Sequence, residues 1–275
     1  MTVNPARHGP FRGRLAPDAI SAYAAAVGDD TAAVNAGHAV PATFPVILVF
    51  DAVEAARGDV PAQAWTQVRG GVHGEHDIVL HRPLEPGEEL TTWSQITGMR
   101  TTRAGTQVAV HLEQVDADGN VAVEQWWTMV LLGLAGLGDL GAMPAAHGFC
   151  DAARANPLGF ADFHIDDAMA HRYALVSGDW SKHHFDITAA QAAGFDFVFA
   201  HGLATMAICT HRLLHLLDID DPRRVSRVAV RFARPTPLDC DLTVDAYRIE
   251  EGRIAFDAVA DGVTTITNGR LELRT

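Results

Sequence analysis

Basic charge is scarce in this sequence: 21 Lys and Arg stand against 34 Asp and Glu, a formal net charge of −13. A duplex with its dense phosphates would be repelled over most of such a surface, which excludes nucleic acid as a partner. Cysteine is scarce as well. Cys150, Cys209 and Cys240 are an odd number at wide spacings with no C-x-x-C pair, excluding a disulfide framework and a cysteine zinc site, and they read as reduced structural thiols. No stretch reaches the roughly 18 uninterrupted apolar residues of a membrane span. The opening residues, Met1 to Pro10, lack the apolar core of a secretory signal, so the expectation is a cytoplasmic protein with no membrane partner. No G-x-S-x-G occurs, and Cys209 lies among apolar neighbours, so nucleophilic hydrolysis has no support either.

Apolar residues, by contrast, make up 48% of the chain and charged residues 20%, the balance of an ordinary globular protein. At 275 residues it is either one large domain or two of common size. An internal repeat favours two. Tyr23-Ala-Ala-Ala-Val-Gly28-Asp29 overlays Tyr173-Ala-Leu-Val-Ser-Gly178-Asp179 with four identities in seven positions, offset by 150. Arg-Pro83 and Arg-Pro235 repeat at nearly the same offset, and each precedes a segment rich in β-formers.

Periodicity then sketches each half. Ala200 to Leu217 carries apolar residues at helical spacing and predicts a mostly buried helix. Val225–Ala233, Leu242–Ile249, Arg253–Ala260 and Thr264–Leu273 read as strands of an antiparallel meander. In the first half Pro45 opens a predicted helix running to Gly58, followed by strands at His76–Leu80, Leu90–Met99, Thr106–Val115 and Val121–Leu132. Gly133 to Phe160, rich in Gly, Ala and Pro, reads as the connection, which gives units 1–135 and 161–275 with a linker at 136–160. The fold class is α+β.

The segment Ser177-Gly178-Asp179-Trp-Ser181-Lys182-His183-His184-Phe-Asp186, with Ala200-His201-Gly202-Leu a short loop later, resembles the signature of MaoC-like (R)-specific enoyl-CoA hydratases. That signature runs Ser-Gly-Asp-x-Asn-Pro-x-His-x-Asp, then His-Gly-Leu at the start of a central helix. Ser181 replaces its Asn and Lys182 its Pro. The resemblance implies a double hotdog, two tandem repeats each wrapping an antiparallel sheet around a helix and packed as a pseudo-dimer, either as a monomer or as a homodimer of it. At the repeat offset Asp29 matches Asp179 but Val34 stands opposite His184, so the first half reads as degenerate and substrate-accommodating and the second as catalytic.

The implied reaction is reversible syn hydration of a trans-2-enoyl thioester to an (R)-3-hydroxyacyl thioester, with coenzyme A or an acyl carrier protein as part of the substrate and no separate cofactor. Asp179 and His184 would activate one water, with His184 titrating near the working pH. The Gly202 N–H, at a helix N-terminus, would meet the developing charge on the thioester oxygen. Ser181 and His201 would support the pair. His183 is given no role, since strand alternation would turn it away.

Arg223, Arg224, Arg227, Arg231 and Arg234 fall within twelve residues, and the first four are candidates for holding phosphates of the carrier; the competing reading pairs them with surface carboxylates. Two patterns are decoys. Gly136-Leu-Gly138-Asp-Leu-Gly141 fits G-x-G-x-x-G, but no helix opens after it. His211-x-x-x-His215 puts two imidazoles on one helix face, but Arg212 replaces the Glu of H-E-x-x-H and no third ligand is evident, so no metal is expected. The rival readings are a hotdog acyl-thioesterase and a non-catalytic acyl-thioester-binding protein.

Overall fold

Each half of the computed structural model, which describes residues 2–274, runs strand, helices, then four strands. The first half comprises β1 (His8–Arg14), α1 (Pro17–Val27), α2 (Ala32–Asn35), α3 (Phe50–Arg57), α4 (Ala62–Trp65), β2 (Gly70–Leu80), β3 (Glu89–Thr101), β4 (Gly105–Val115) and β5 (Val121–Leu132). A short β6 (Leu140–Gly141) lies in the connection. The second half comprises β7 (Pro157–Ile165), α5 (Met169–Ser177), α6 (Ile187–Ala192), α7 (Gly202–Leu216), β8 (Val225–Phe232), β9 (Cys240–Glu250), β10 (Arg253–Ala260) and β11 (Val263–Leu273).

The strands form one sheet in the order β1-β3-β4-β5-β2-β8-β11-β10-β9-β7. Read from either end, that order visits equivalent strands of the two repeats. The halves join where β2 and β8 pair antiparallel, with Asp77 opposite Ala229 and Ile78 opposite Val228. The duplication also sets the helix ends. Gly28 and Gly178 terminate α1 and α5 at φ of 68° and 76°, a left-handed conformation that glycine adopts without penalty. These helices bring Tyr23 and Tyr173 together, both fully buried, with ring centroids 6.1 Å apart.

Helix α7 is apolar on nearly every face, and eleven of its fifteen residues are buried. A helix with that pattern must be enclosed. It lies in the concavity of the second half of the sheet, packing on β7, β8 and β9. The first half has no equivalent rod. The expected helix from Pro45 is a 3₁₀ turn over Phe44–Leu48, then the eight-residue α3. The Gln125 side-chain amide donates to the Pro45 carbonyl at 3.2 Å, engaging the acceptor that a continuous α-helix would offer to Val49.

The connection and the cysteines differ from expectation, and the decoy does not. Strand β7 starts at Pro157, so the connection ends before residue 160, and β6 within it pairs with β3. The glycine-rich decoy is that same β6 segment: Arg100 donates to the carbonyls of Leu140 and Gly141, and no helix follows. Cys209 and Cys240 are buried, whereas Cys150 is exposed and carries no packing role. Among the described residues no helix is long and apolar enough to cross a membrane.

Candidate active site

The chain after α5 turns on Asp179. Its Oδ1 accepts from the Ser181 backbone N–H at 3.0 Å and from the Ser181 hydroxyl at 2.6 Å, an Asx-type turn closed twice over. Asp29 receives the same two donors from Thr31. A hydroxyl residue two positions on is therefore what this turn requires, and Ser181 supplies it.

The turn leads into a 3₁₀ segment, Lys182–His184, that directs His184 inward until only 6% of it is exposed. His184 Nδ1–H donates to the Phe199 carbonyl at 2.8 Å, which leaves the Nε2 lone pair available. The acceptor is itself fixed, because Phe199 bridges to Pro237 and the Ala200 N–H donates to Thr236. His201, at the start of α7, stacks on His184 with ring centroids 3.7 Å apart, and its Nε2–H donates to the Asp179 carbonyl at 2.9 Å. Asp179, His184 and His201 each place a donor atom within 4.8 Å of the others. The elements meeting here are the end of α5, the 3₁₀ turn and the N-terminus of α7.

Burial governs the protonation states. It penalises the imidazolium of His184, and the neighbouring rings of His201 and His183 add to that, so the pKa falls to about 3. His201 is lowered for the same first reason. The ring of His184 is thus neutral at neutral pH, which corrects the expectation that it titrates near the working pH. For Asp179 burial acts in the opposite direction, but the hydrogen bonds from the Ser181 hydroxyl and backbone N–H oppose it, and the carboxyl stays below its ordinary value. The site holds a carboxylate beside two neutral imidazoles.

Other residues of the motif have separate tasks. Asp186 caps α6, accepting from the Thr188 and Ala189 N–H groups. His183 does not point away as strand alternation would have it, because the backbone there is a 3₁₀ turn: its ring stacks on Phe199 and lies 4.2 Å from that of His184. Gly202 is the first residue of α7, which has no side-chain cap. A Cβ there would meet the Phe232 ring at 3.0 Å, so glycine lets β8 pack closely on the helix start. Phe199, Phe232 and Tyr173 were not singled out in the sequence. The Tyr173 hydroxyl is buried without a partner, and its ring lies 5.0 Å from His201. The repeated Tyr at 23 and 173 is the signal that could have found it.

Two family models cover most of the chain. Residues 147–268 match the MaoC like domain, and residues 15–125 match the dehydratase domain region of FAS1-like proteins. The 3-hydroxyacyl-thioester dehydratase X of Mycobacterium tuberculosis is 29% identical over 224 residues, 81% of this chain and 73% of that protein. The chain belongs to the MaoC-like dehydratases. The fold agrees: a MaoC-like dehydratase from Phytophthora capsici superposes with a TM-score of 0.81 at 22% identity, covering 99% of this chain and 96% of that one. A Mycobacterium tuberculosis protein described as a double hotdog superposes at 0.62 with 14% identity, covering 100% and 97%. This MaoC-like chain is a double hotdog.

The arginine cluster of this MaoC-like protein is largely neutralised. Arg227 makes a two-pronged pair with Asp77 at 2.9 and 2.6 Å, and also approaches Glu272. Arg223 pairs with Asp221, and Arg231 lies 3.8 Å from Glu75. Arg224 lines a groove of about 250 Å³ with Leu217 and Asp218, beyond the C-terminal end of α7 and away from Asp179. The expected phosphate-binding patch is therefore, for three of its four residues, a set of ion pairs, two of them made with β2 across the junction of the halves.

Proposed function

We propose that the protein catalyses reversible syn hydration of trans-2-enoyl thioesters to (R)-3-hydroxyacyl thioesters, with coenzyme A or a carrier protein bearing the acyl group. The observation that carries this reading is the facing pair, a carboxylate on Asp179 and an available Nε2 on His184, with donor atoms within 4.8 Å. That separation suits two groups sharing one water. In the proposed step the water oxygen bonds to C3 as the C2–C3 π bond breaks. The water proton passes to the Asp179–His184 pair, and a proton from the pair reaches C2 on the same face. Charge shifts onto the thioester oxygen meanwhile, and the Gly202 N–H at the uncapped start of α7 stabilises it. His201 positions both partners, stacking on one and holding the backbone of the other.

The test is incubation with crotonyl-CoA and with a saturated acyl-CoA while enoyl absorbance and free thiol are followed together. Loss of enoyl absorbance without thiol release is the expected result. Thiol release would replace hydration with thioester hydrolysis, and no change with either compound would leave acyl-thioester binding.

The repeat supplies an internal control. Asp29 has the turn of Asp179, but Val34 lies where the second half places His184. An Asp29→Asn variant is expected to hydrate crotonyl-CoA at close to the wild-type kcat. A loss comparable to that of Asp179→Asn would move the active site into the first half.

A further inference from the structure

The sequence places His211 and His215 one turn apart on α7 without a third ligand, and the fold provides one. Asp30, in the turn between α1 and α2, comes from the other half of the chain, and its Oδ1 lies 3.0 Å from His215 Nε2. Asp30, His211 and His215 each offer a donor atom within 4.8 Å of the others. His211 is 2% exposed, and its Nε2–H donates to the Val27 carbonyl at 3.0 Å. That bond fixes the tautomer, and the remaining lone pair, on Nδ1, is buried without a hydrogen-bond partner. A ring nitrogen anchored on a backbone carbonyl with its other nitrogen unpaired is the arrangement found in metal-ligating histidines.

We propose that Asp30, His211 and His215 form a binding site for a divalent transition metal, with zinc as the reference ion, separate from the Asp179 site and at the opposite end of α7. Two imidazoles and one carboxylate suit zinc and its first-row neighbours, whereas magnesium and calcium favour all-oxygen donor sets. Zinc holds such donors at about 2.1 Å. Asp30 and His215 are exposed, and the buried His211 is the fixed member. The ion would bind α7 of the second half to the α1–α2 turn of the first.

The experiment uses the full chain after dialysis against a chelator. ZnCl₂ is titrated in the presence of a competing chromophoric chelator, CoCl₂ is titrated by its visible absorption, and the thermal midpoint is recorded with and without zinc. One zinc per chain, a cobalt spectrum of low coordination number and a raised midpoint are expected. Asp30→Asn and His215→Ala, both at exposed positions, are each expected to weaken zinc binding by about tenfold or more and to abolish the rise in midpoint. Asp179, His184 and His201 are a second donor set, so His184→Asn is the control and is expected to retain the zinc stoichiometry. Absence of competition with the chelator, affinity unchanged in both exposed-site variants, or loss of the ion in His184→Asn would each overturn the proposal.

Discussion

His184→Asn is expected to hydrate crotonyl-CoA roughly 10³-fold more slowly than the wild-type chain, within the range that loss of a positioned general acid or base produces. Asparagine is the informative replacement because its amide can still donate to the Phe199 carbonyl, whereas alanine would open a void beside the stacked His201 ring. Asp179→Asn is expected to fall by a similar factor, since an amide cannot accept a proton from water, while its Oδ1 can still receive both Ser181 donors and keep the turn. Because the two residues act on one water, the double variant should be scarcely slower than either single one. The measurement is kcat with crotonyl-CoA beside the thermal midpoint. A variant that folds normally and keeps a rate within tenfold of wild type would remove its residue from the proposed site. One further readout follows from the neutral His184: the rate of the wild-type enzyme should not decline as pH falls through 6.5, the range in which an ordinary imidazole would lose its lone pair.

What could be read from the sequence was local. Gly178, Asp179 and Ser181 build their turn with contacts no more than two residues apart, so the motif carried its own geometry. The long strands and α7 announced themselves by period, because burial on one face or all round leaves that mark. Strands β1 and β7 did not, since each is a sheet edge with few buried positions and its alternation is faint. The long-range partners were invisible in principle. Asp77 lies 150 residues from Arg227, and nothing in either neighbourhood of the sequence foretells their pairing. Asp30 stands in the same relation to His215. The carbonyl that fixes His184 belongs to Phe199, a backbone atom whose role does not depend on the side chain it carries. The period-2 rule fails at His183 for a different reason: this stretch folds as a 3₁₀ turn.

The second large effect expected is loss of the fold in mild acid. The first half buries a relay that works in one protonation state only. Gln125 donates to the Pro45 and Gln114 side-chain or backbone oxygens, and accepts from His76 Nε2–H at 3.0 Å. The Nδ1 of His76 must then accept from His73 Nε2–H, 3.2 Å away. A proton added to His76 would set one N–H against another in a site from which water is excluded. Burial lowers the pKa of His76 to about 4 and holds His73 well below its ordinary value. His184 and His201 are lowered in the same way. For such a group the unfolded chain binds the proton first. Its contribution to stability is therefore complete above pH 6.5 and is lost as pH falls from there toward the folded-state value. His76 and His184 each remove about 1.4 kcal/mol per pH unit over that interval, so these two alone reach the lower end of the stability of an ordinary domain, about 5–15 kcal/mol, within two units, and His73 and His201 act in the same direction. Cooperative unfolding with a midpoint near pH 5 is expected, followed by far-ultraviolet circular dichroism and tryptophan fluorescence. Trp127, stacked on His73 at 4.1 Å, reports on the relay directly. A fold that remains intact at pH 4 would show that these histidines do not need to be neutral and would undo both the relay and the protonation states assigned to it.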